Sequence, residues 1–302
     1  SINKKIYIYF KILLRNYPTI PYLFKWTFLC LFIGGLIGSA SAGFLPFSNW
    51  ATNFRESHLW LIALLPIGGF LIGLLYYYYG KDIEAGNNLL IDTIHQPDKI
   101  IPFRMAPLVY IGTIATHFFG GSAGREGTAL QMAGAIADQF SKPFNLSDSD
   151  RKTLIIAAVG GGFGSVFGTP VAGAIFALEF FLIGRIRYNA LFPAFMTAII
   201  ADIVTKLWHT PHTHYQINFI PPISLLNIAY AILAGILFGL CAATFSKLIH
   251  QIGSIIKSQI SYPPLRPLVG GIIVAAAVWA IGTTKYIGLG IPTIVDSLDM
   301  QL

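Results

Sequence analysis

An all-α fold that crosses a membrane several times is what this sequence predicts, and three observations carry the prediction. Of 302 residues, 55% are apolar and 11% charged, and the mean hydropathy is +0.66, too hydrophobic for a soluble domain of that length. The apolar residues gather into runs, at Trp26–Pro46, Leu59–Tyr79, Met105–Phe119, Leu154–Gly184, Ala190–Trp208, Ile223–Ile249 and Leu268–Ile281. Within this setting Gly120–Leu130 reads GGSAGREGTAL, a glycine-rich turn that delivers Arg125 and Glu126 to the start of a helix. An ionisable residue near the middle of a bilayer costs roughly 2.5 to 3.5 kcal/mol, so such residues usually line an ion or substrate path.

Taken in chain order, Lys4, Lys5, Lys11, Arg15 and Lys25 precede the first span with no acidic residue before Glu56. The positive-inside tendency then predicts a cytoplasmic amino terminus, and the basic amphipathic stretch KKIYIYFKILLRNY suits an anionic membrane surface. That distribution argues against nucleic acid as the reason for the net charge of +7. The first run is full-length and lacks a small-residue cleavage site, the pattern of a span rather than a signal peptide. The runs range from well below to well above the ~20 residues that cross a bilayer, which predicts broken or partly inserted helices. Tyr76–Tyr79, and Trp208 with Tyr215, fit an interfacial belt. Gly160, Gly164 and Gly168, extended by Ala172, repeat every fourth residue, a small-residue row that lets membrane helices approach closely. Pro170 is expected to start the following helix, where its missing N–H costs nothing. Cys30 and Cys241 sit in apolar runs as packed thiols.

The chain also resembles itself at a spacing of about 200 residues, the internal symmetry many transporters carry. Gly34, Gly38 and Phe44 fall on Gly235, Gly239 and Phe245, Pro66 and Gly69 on Pro267 and Gly270, and Gly86 and Asp92 on Gly290 and Asp296. The expected organisation is a first repeat over 1–208, an inter-repeat loop at 209–222 marked by HTPHTHYQ and Pro221-Pro222, and the start of a second repeat over 223–302. The counterpart of Glu126 would then fall beyond Leu302, so the chain reads as part of a longer transporter.

Gly120, Gly121, Gly124 and Gly127 permit a turn with outward N–H groups, and a helix beginning near Glu126 adds its positive dipole end. Together these make an anion site. The alternative is a structural ion pair between Arg125 and Glu126.

At this point the residues resemble a known family. GREGTALQMAGAIAD, Gly124–Asp138, is similar to the GREGP segment of the CLC chloride channels and transporters, including the following Gln131 and Gly134. GGGFGSVFGTPVAGAIFALE, Gly160–Glu179, resembles the family's pair of helices joined at a proline, and EAGNNLLID, Glu84–Asp92, occupies the place of its GSGIP segment. The resemblance implies a CLC-type inverted repeat in a multi-pass protein of the cell membrane. It also implies a homodimer to which helices from Val171 to Trp208 contribute, transport of a halide, and Glu126 as a proton-linked gate. Repulsion between a carboxylate and a halide in one small site supplies such linkage physically. The anion site would draw on Asn87, Asn88, Gly124, Arg125, Gly127 and Thr128, with no cofactor and no metal.

Three departures matter. Asn87 stands where GSGIP offers a serine hydroxyl, and Thr128 replaces the usual proline after GREG. Both resemble the fluoride-specific branch, whose members are proton-coupled fluoride exporters. Chloride/proton exchange and a passive chloride channel stay open, and Asn87 and Asn88 can also be read as caps of a helix beginning at Leu89. Third, Glu179 is followed by Phe180 where many exchangers carry a second acid, so the usual internal proton acceptor is missing and Glu179 can simply anchor a helix end beside Arg185 or Arg187. His209, His212 and His214 lack the helical spacing or thiols of a metal site. His95, His117 and His250 are isolated. No zinc, serine-histidine or paired-aspartate pattern supports an intramembrane enzyme.

Overall fold

A computed structural model describes residues 19–97, 99–181, 187–212 and 220–298, and its regular structure is helical throughout. The basic residues before Thr19, together with Arg185, His214 and Tyr215, lie outside the described residues. The helices are α1 (Thr19–Ser57), α2 (Leu65–Tyr79), α3 (Asn87–His95), α4 (Met105–Phe119), α5 (Arg125–Asp138), α6 (Asp148–Phe167), α7 (Pro170–Phe180), α8 (Leu191–Leu207), α9 (Leu225–Gln259), α10 (Leu265–Ile281) and α11 (Ile291–Leu298). Short 3₁₀ turns at Leu59–Leu64 and Tyr188–Ala190 lead into α2 and α8, giving, among the described residues, four helical stretches long and apolar enough to cross a membrane.

The expected run Leu154–Gly184 is broken in the middle. α6 stops at Gly168, which takes a left-handed φ of 68°, and Pro170 starts α7 at its first position. At the other end, the Ser147 side chain accepts from the Asp150 N–H at 3.2 Å, while Asp148 and Asp150 face the positive end of the helix dipole. α1 overruns its predicted Trp26–Pro46 in both directions and keeps Pro46 inside. Proline has no N–H for the Ala42 carbonyl, and the Thr210 hydroxyl donates to that oxygen instead, at 3.4 Å.

The chain divides into two compact units. The first comprises 1–53, 79–114 and 124–212, and the second 54–78, 115–123 and 213–302. In the first, α6 is the hub, packed on α5, α7 and α8. Lipid tails are as apolar as leucine, so helices in a bilayer associate through close contact rather than through exclusion of water. α6 therefore presents glycine on several sides. A Cβ at Gly161 would lie 2.9 Å from Thr197 on α8, and one at Gly162 would lie 2.8 Å from the Ala133 side chain on α5. Toward α7, Gly160 and Gly164 meet Gly173, Ala174 and Pro170. The small-residue row expected from the sequence is thus corrected. Gly168 ends α6 and Ala172 is an exposed residue of α7, and Gly173 is the actual partner of Gly160 and Gly164. Around this hub, Trp26, Leu29, Cys30, Ile33 and Ile37 of α1 pack with Ala133, Ala137, Leu154, Ala158 and Ala201.

In the second unit α2 and α10 pack reciprocally. A Cβ at Gly69 would lie 2.7 Å from the Pro267 carbonyl, and one at Gly271 would lie 2.7 Å from the Pro66 Cα. The internal repeat aligns Gly69 with Gly270, but the glycine that meets Pro66 is Gly271, while the Cβ position of Gly270 has no neighbour within 4 Å among the described residues, so these contacts do not follow the alignment residue for residue. α9, by contrast, has no buried side chain among the described residues.

Candidate functional site

Two helix starts meet in the first unit. α5 begins behind Gly124, in extended conformation at φ −73° and ψ 143°, and α3 begins behind Gly86, at φ 59° and ψ −125°. Neither glycine has a side chain to cap the first-turn N–H groups, which have no acceptor inside their own helix. At α3 the Asn88 and Leu89 N–H groups turn back to the carbonyls of Ala85 and Gly86, at 3.1 and 3.0 Å, so that start offers mainly its positive dipole end, whereas at α5 the cap leaves the first-turn N–H groups without a side-chain acceptor.

The helices approach through glycine. Gly127 and Gly134 lie on one face of α5, where a Cβ at Gly134 would lie 2.6 Å from Leu90 and one at Gly127 would lie 3.6 Å from Asn87 Nδ2. Gln131, one turn on from Gly127, donates from Nε2 to Asn87 Oδ1 at 3.2 Å. An amide has one oxygen and one NH2, so with the oxygen engaged by Gln131 the Nδ2 group, 3.6 Å from the Gly127 Cβ position, is the one left to donate. The sequence placed this helix start at Leu89. It lies at Asn87, so Asn87 and Asn88 are first-turn residues and Gly86 is the cap. Asn87 is half-buried and Asn88 exposed.

Arg125 and Glu126, adjacent in sequence, go to different surroundings. Arg125 is buried, and its Nη2 donates to Asn49 Oδ1 on α1 at 2.6 Å. Glu126 is exposed and folds back over the cap, so close that a Cβ at Gly124 would collide with Oε2. Gly124 is thus glycine for room rather than for an unusual φ. Thr128 is buried, with its hydroxyl 2.6 Å from that of Thr113 on α4 and 3.5 Å from the Gly124 carbonyl, which ties α5 to α4.

The far end of α5 carries a second acid in the opposite state. Asp138 is fully buried and accepts from Arg151 Nε at 2.7 Å and Nη2 at 2.8 Å, from Ser141 Oγ at 2.8 Å and from the Ile101 N–H at 2.7 Å. Arg151 also donates to the carbonyls of Pro97 and Lys99, at 2.6 Å each. A carboxylate at a helix carboxyl end opposes the dipole, and here the bidentate guanidinium offsets it.

In the second unit, His117 is buried with Nε2 2.8 Å from the Ala123 carbonyl, so it donates there and braces the turn that leads to Gly124. That turn is closed further by the Gly121 N–H bonding the Thr116 carbonyl at 2.8 Å, with Gly120 at φ 89°.

The sequence matches the family described as voltage gated chloride channel over residues 68–302. The chain belongs to the CLC family. A chloride/fluoride channel protein of Pseudomonas syringae pv. tomato is 50% identical over 289 residues, 94% of this chain and 64% of that protein. This chain therefore spans less than two thirds of that relative's length. A crystal structure of a CLC-type fluoride/proton antiporter superposes with a TM-score of 0.86 at 31% identity, covering 91% of this chain and 70% of that one. An H(+)/Cl(-) exchange transporter of Salmonella schwarzengrund is 24% identical over 238 residues, 74% of this chain and 50% of that protein.

Within this CLC chain, Phe180 takes part in an aromatic column. Its ring lies 5.1 Å from Phe176 and 4.9 Å from Phe181, and Phe176 stacks 4.7 Å from Phe163 on α6. Glu179 beside it is exposed and forms no ion pair with a described residue. Among the loop histidines, His212 donates from Nε2 to the Ser165 carbonyl at 2.7 Å and packs on Gly168, so it closes the end of α6. Sequence reasoning gave no role to Asn49, Thr113, Gln131 or Arg151. Gln131 was the legible one, because its one-turn spacing from Gly127 places it on the face that meets α3.

Proposed function

We propose that this chain carries the first anion half-site of a CLC transporter that exchanges fluoride for protons, with Asn87 donating to the anion and Glu126 acting as the proton-linked gate. The observation that carries the reading is the Gln131–Asn87 hydrogen bond, which commits the Asn87 amide to offer a donor beside the first turn of α5. Gly124 and Gly127 leave the α5 start without a side-chain cap, and α3 adds its positive dipole end at Asn87 and Asn88, the Asn88 N–H itself being held by the Ala85 carbonyl. Arg125 and Thr128 hold α5 to α1 and α4, and so act on the anion through position and charge. Fluoride holds its water tightly, and a fixed amide donor flanked by two helix dipoles is suited to replace that shell. The naming of the relatives for fluoride supports the choice of anion.

Glu126 lies exposed against a glycine cap, so its carboxylate can leave without disturbing the core. When ionised it repels an anion at the α5 start, and when protonated it permits one. The test is transport by the intact protein in liposomes. A proton gradient is expected to drive fluoride uphill, with chloride far slower, and Glu126→Gln is expected to remove the proton dependence. Equal fluoride and chloride rates would defeat the role of Asn87.

A passive anion channel is the second reading, favoured by Phe180 in its aromatic column where a relaying acid would stand. Failure of a proton gradient to drive anion movement would select it. The amino terminus is read as cytoplasmic from its lysines and arginines, and 1–208, 209–222 and 223–302 as a repeat, a loop and the opening of a second repeat. The homodimer face is assigned to α7 and α8, where Val171, Ile175, Ile199 and Ile203 are exposed.

A further inference from the structure

Arg55 is a buried cation that neither the proposed anion site nor the helix core uses. It is 4% exposed, and its Nε has no hydrogen-bond partner among the described residues. Its ion pair there is one contact, from Nη2 to Glu56 Oε1 at 3.2 Å, and the Glu56 side chain is 50% exposed. A guanidinium carries five donors, and a buried donor left unmade costs about 1 to 3 kcal/mol. An acceptor is therefore called for beside this side chain.

The surroundings say what kind. The Arg55 stem lies on Gly120, where a Cβ would stand 3.6 Å from Cδ, and the head lies on Gly288, where a Cβ would stand 3.2 Å from Nη2. Both glycines hold left-handed φ values, 89° and 74°, so the two turns are shaped by residues that leave space where other side chains would fill it. Gly288 and Gly290, the latter at φ 69°, form the turn that enters α11 at Ile291. The turn that holds Gly288 leads directly into the first turn of α11 at Ile291, whose N–H groups have no acceptor inside their own helix and whose dipole end is positive. A water could satisfy Nε but would add no charge at the dipole or beside a guanidinium whose ion-pair partner, Glu56, is half-exposed. A small anion answers all three.

We propose that Arg55, the Gly288–Gly290 turn and the start of α11 bind a small monovalent anion of the halide class, at a second site separate from Asn87 and Glu126. Arg55 stands at the opposite end of α1 from Lys25. With the amino terminus cytoplasmic, the site therefore lies on the non-cytoplasmic side and serves as a station where the anion exchanges part of its water for protein donors. The choice of anion rests on the halide transport proposed above, whereas the need for an acceptor at Arg55 does not.

The experiment titrates fluoride calorimetrically into the purified intact protein, comparing wild type with Arg55→Gln, Arg55→Lys and Asn87→Ala. Two binding components are expected in wild type. Arg55→Gln is expected to weaken one of them at least tenfold and spare the other, while Asn87→Ala does the reverse. Arg55→Lys keeps the charge but loses the fork, so a several-fold loss is expected, and this variant decides the matter if the glutamine variant does not fold. Wild-type titration by the arginine variants overturns the second site and leaves the Asn87 reading standing. Wild-type titration by Asn87→Ala alone removes the Asn87 reading and leaves the second site standing.

Discussion

The two acids of α5 sit at opposite ends of one helix and live under opposite rules. Asp138 is fully buried, with every lone-pair direction answered by Arg151, Ser141 and Ile101. Glu126 is exposed, lies against a glycine, and starts a helix whose first N–H groups are left open. An acid that is over-determined by its partners holds structure, and an acid that is given room can change state. The helix is thereby held at both ends, by Asp138 and Arg151 at one and by Arg125 and Thr128 at the other, with the Glu126 side chain left open at its amino end, which is what the proposed gate requires.

The contrast is broken most strongly at the anchor. Asp138→Asn leaves the Arg151 guanidinium buried without its counter-charge, and about 3 to 5 kcal/mol of stability is expected to go, since removing one partner of a buried pair is that costly. Thermal unfolding of the purified protein measures it. Pairing the change with Arg151→Met is expected to recover part of the loss, and a melting temperature equal to wild type in the single variant would end the anchoring account. Glu126→Gln is expected to shift stability by less than about 0.5 kcal/mol, as exposed substitutions do, while flattening the pH dependence of anion transport. If both variants lost stability alike, the two ends of α5 would not differ in kind.

Gln131 sharpens the open end. Replacing it by Leu frees the Asn87 amide to rotate, and a loss of about 1 kcal/mol, the usual worth of one hydrogen bond, corresponds to roughly fivefold weaker anion binding. The change should appear in affinity more than in maximal rate. Wild-type affinity in Gln131→Leu would mean that Asn87 needs no orienting partner.

How much of this was legible in the sequence divides along the same line. The glycine turn and a helix start near Glu126, one residue from where α5 begins at Arg125, were readable because glycine, charge and a helix start leave local marks. The break at Gly168 and Pro170 was half readable: the proline announced α7, but Gly168 looked like one more member of a packing row until its left-handed φ ended the helix. Asp138 closes the GREG segment and carries no local mark of its role. Its partner Arg151 lies across a turn and an N-cap, and the carbonyls of Pro97 and Lys99 that complete the network come from another part of the chain. Tertiary partners of that kind carry no periodic signal. Asn49, which holds Arg125, was silent for the same reason.

The smallest expected effect belongs to a third acid, which shows what an aqueous setting does to the anchor's chemistry. Asp82, in the loop between α2 and α3, hydrogen-bonds Arg104, and that bond holds its carboxyl below the ordinary range despite some opposing burial. Both side chains are about half exposed, 42% and 55%, so water and salt screen the pair to a few tenths of a kcal/mol. Because the folded value is depressed, the contribution is present above the ordinary carboxylate range and fades as pH falls through the lower folded value. Asp82→Asn is thus expected to lower the melting temperature slightly at neutral pH and not at all in strong acid. A loss at neutral pH as large as that of Asp138→Asn would show that partner identity, and not burial, sets the strength of these acid–arginine pairs.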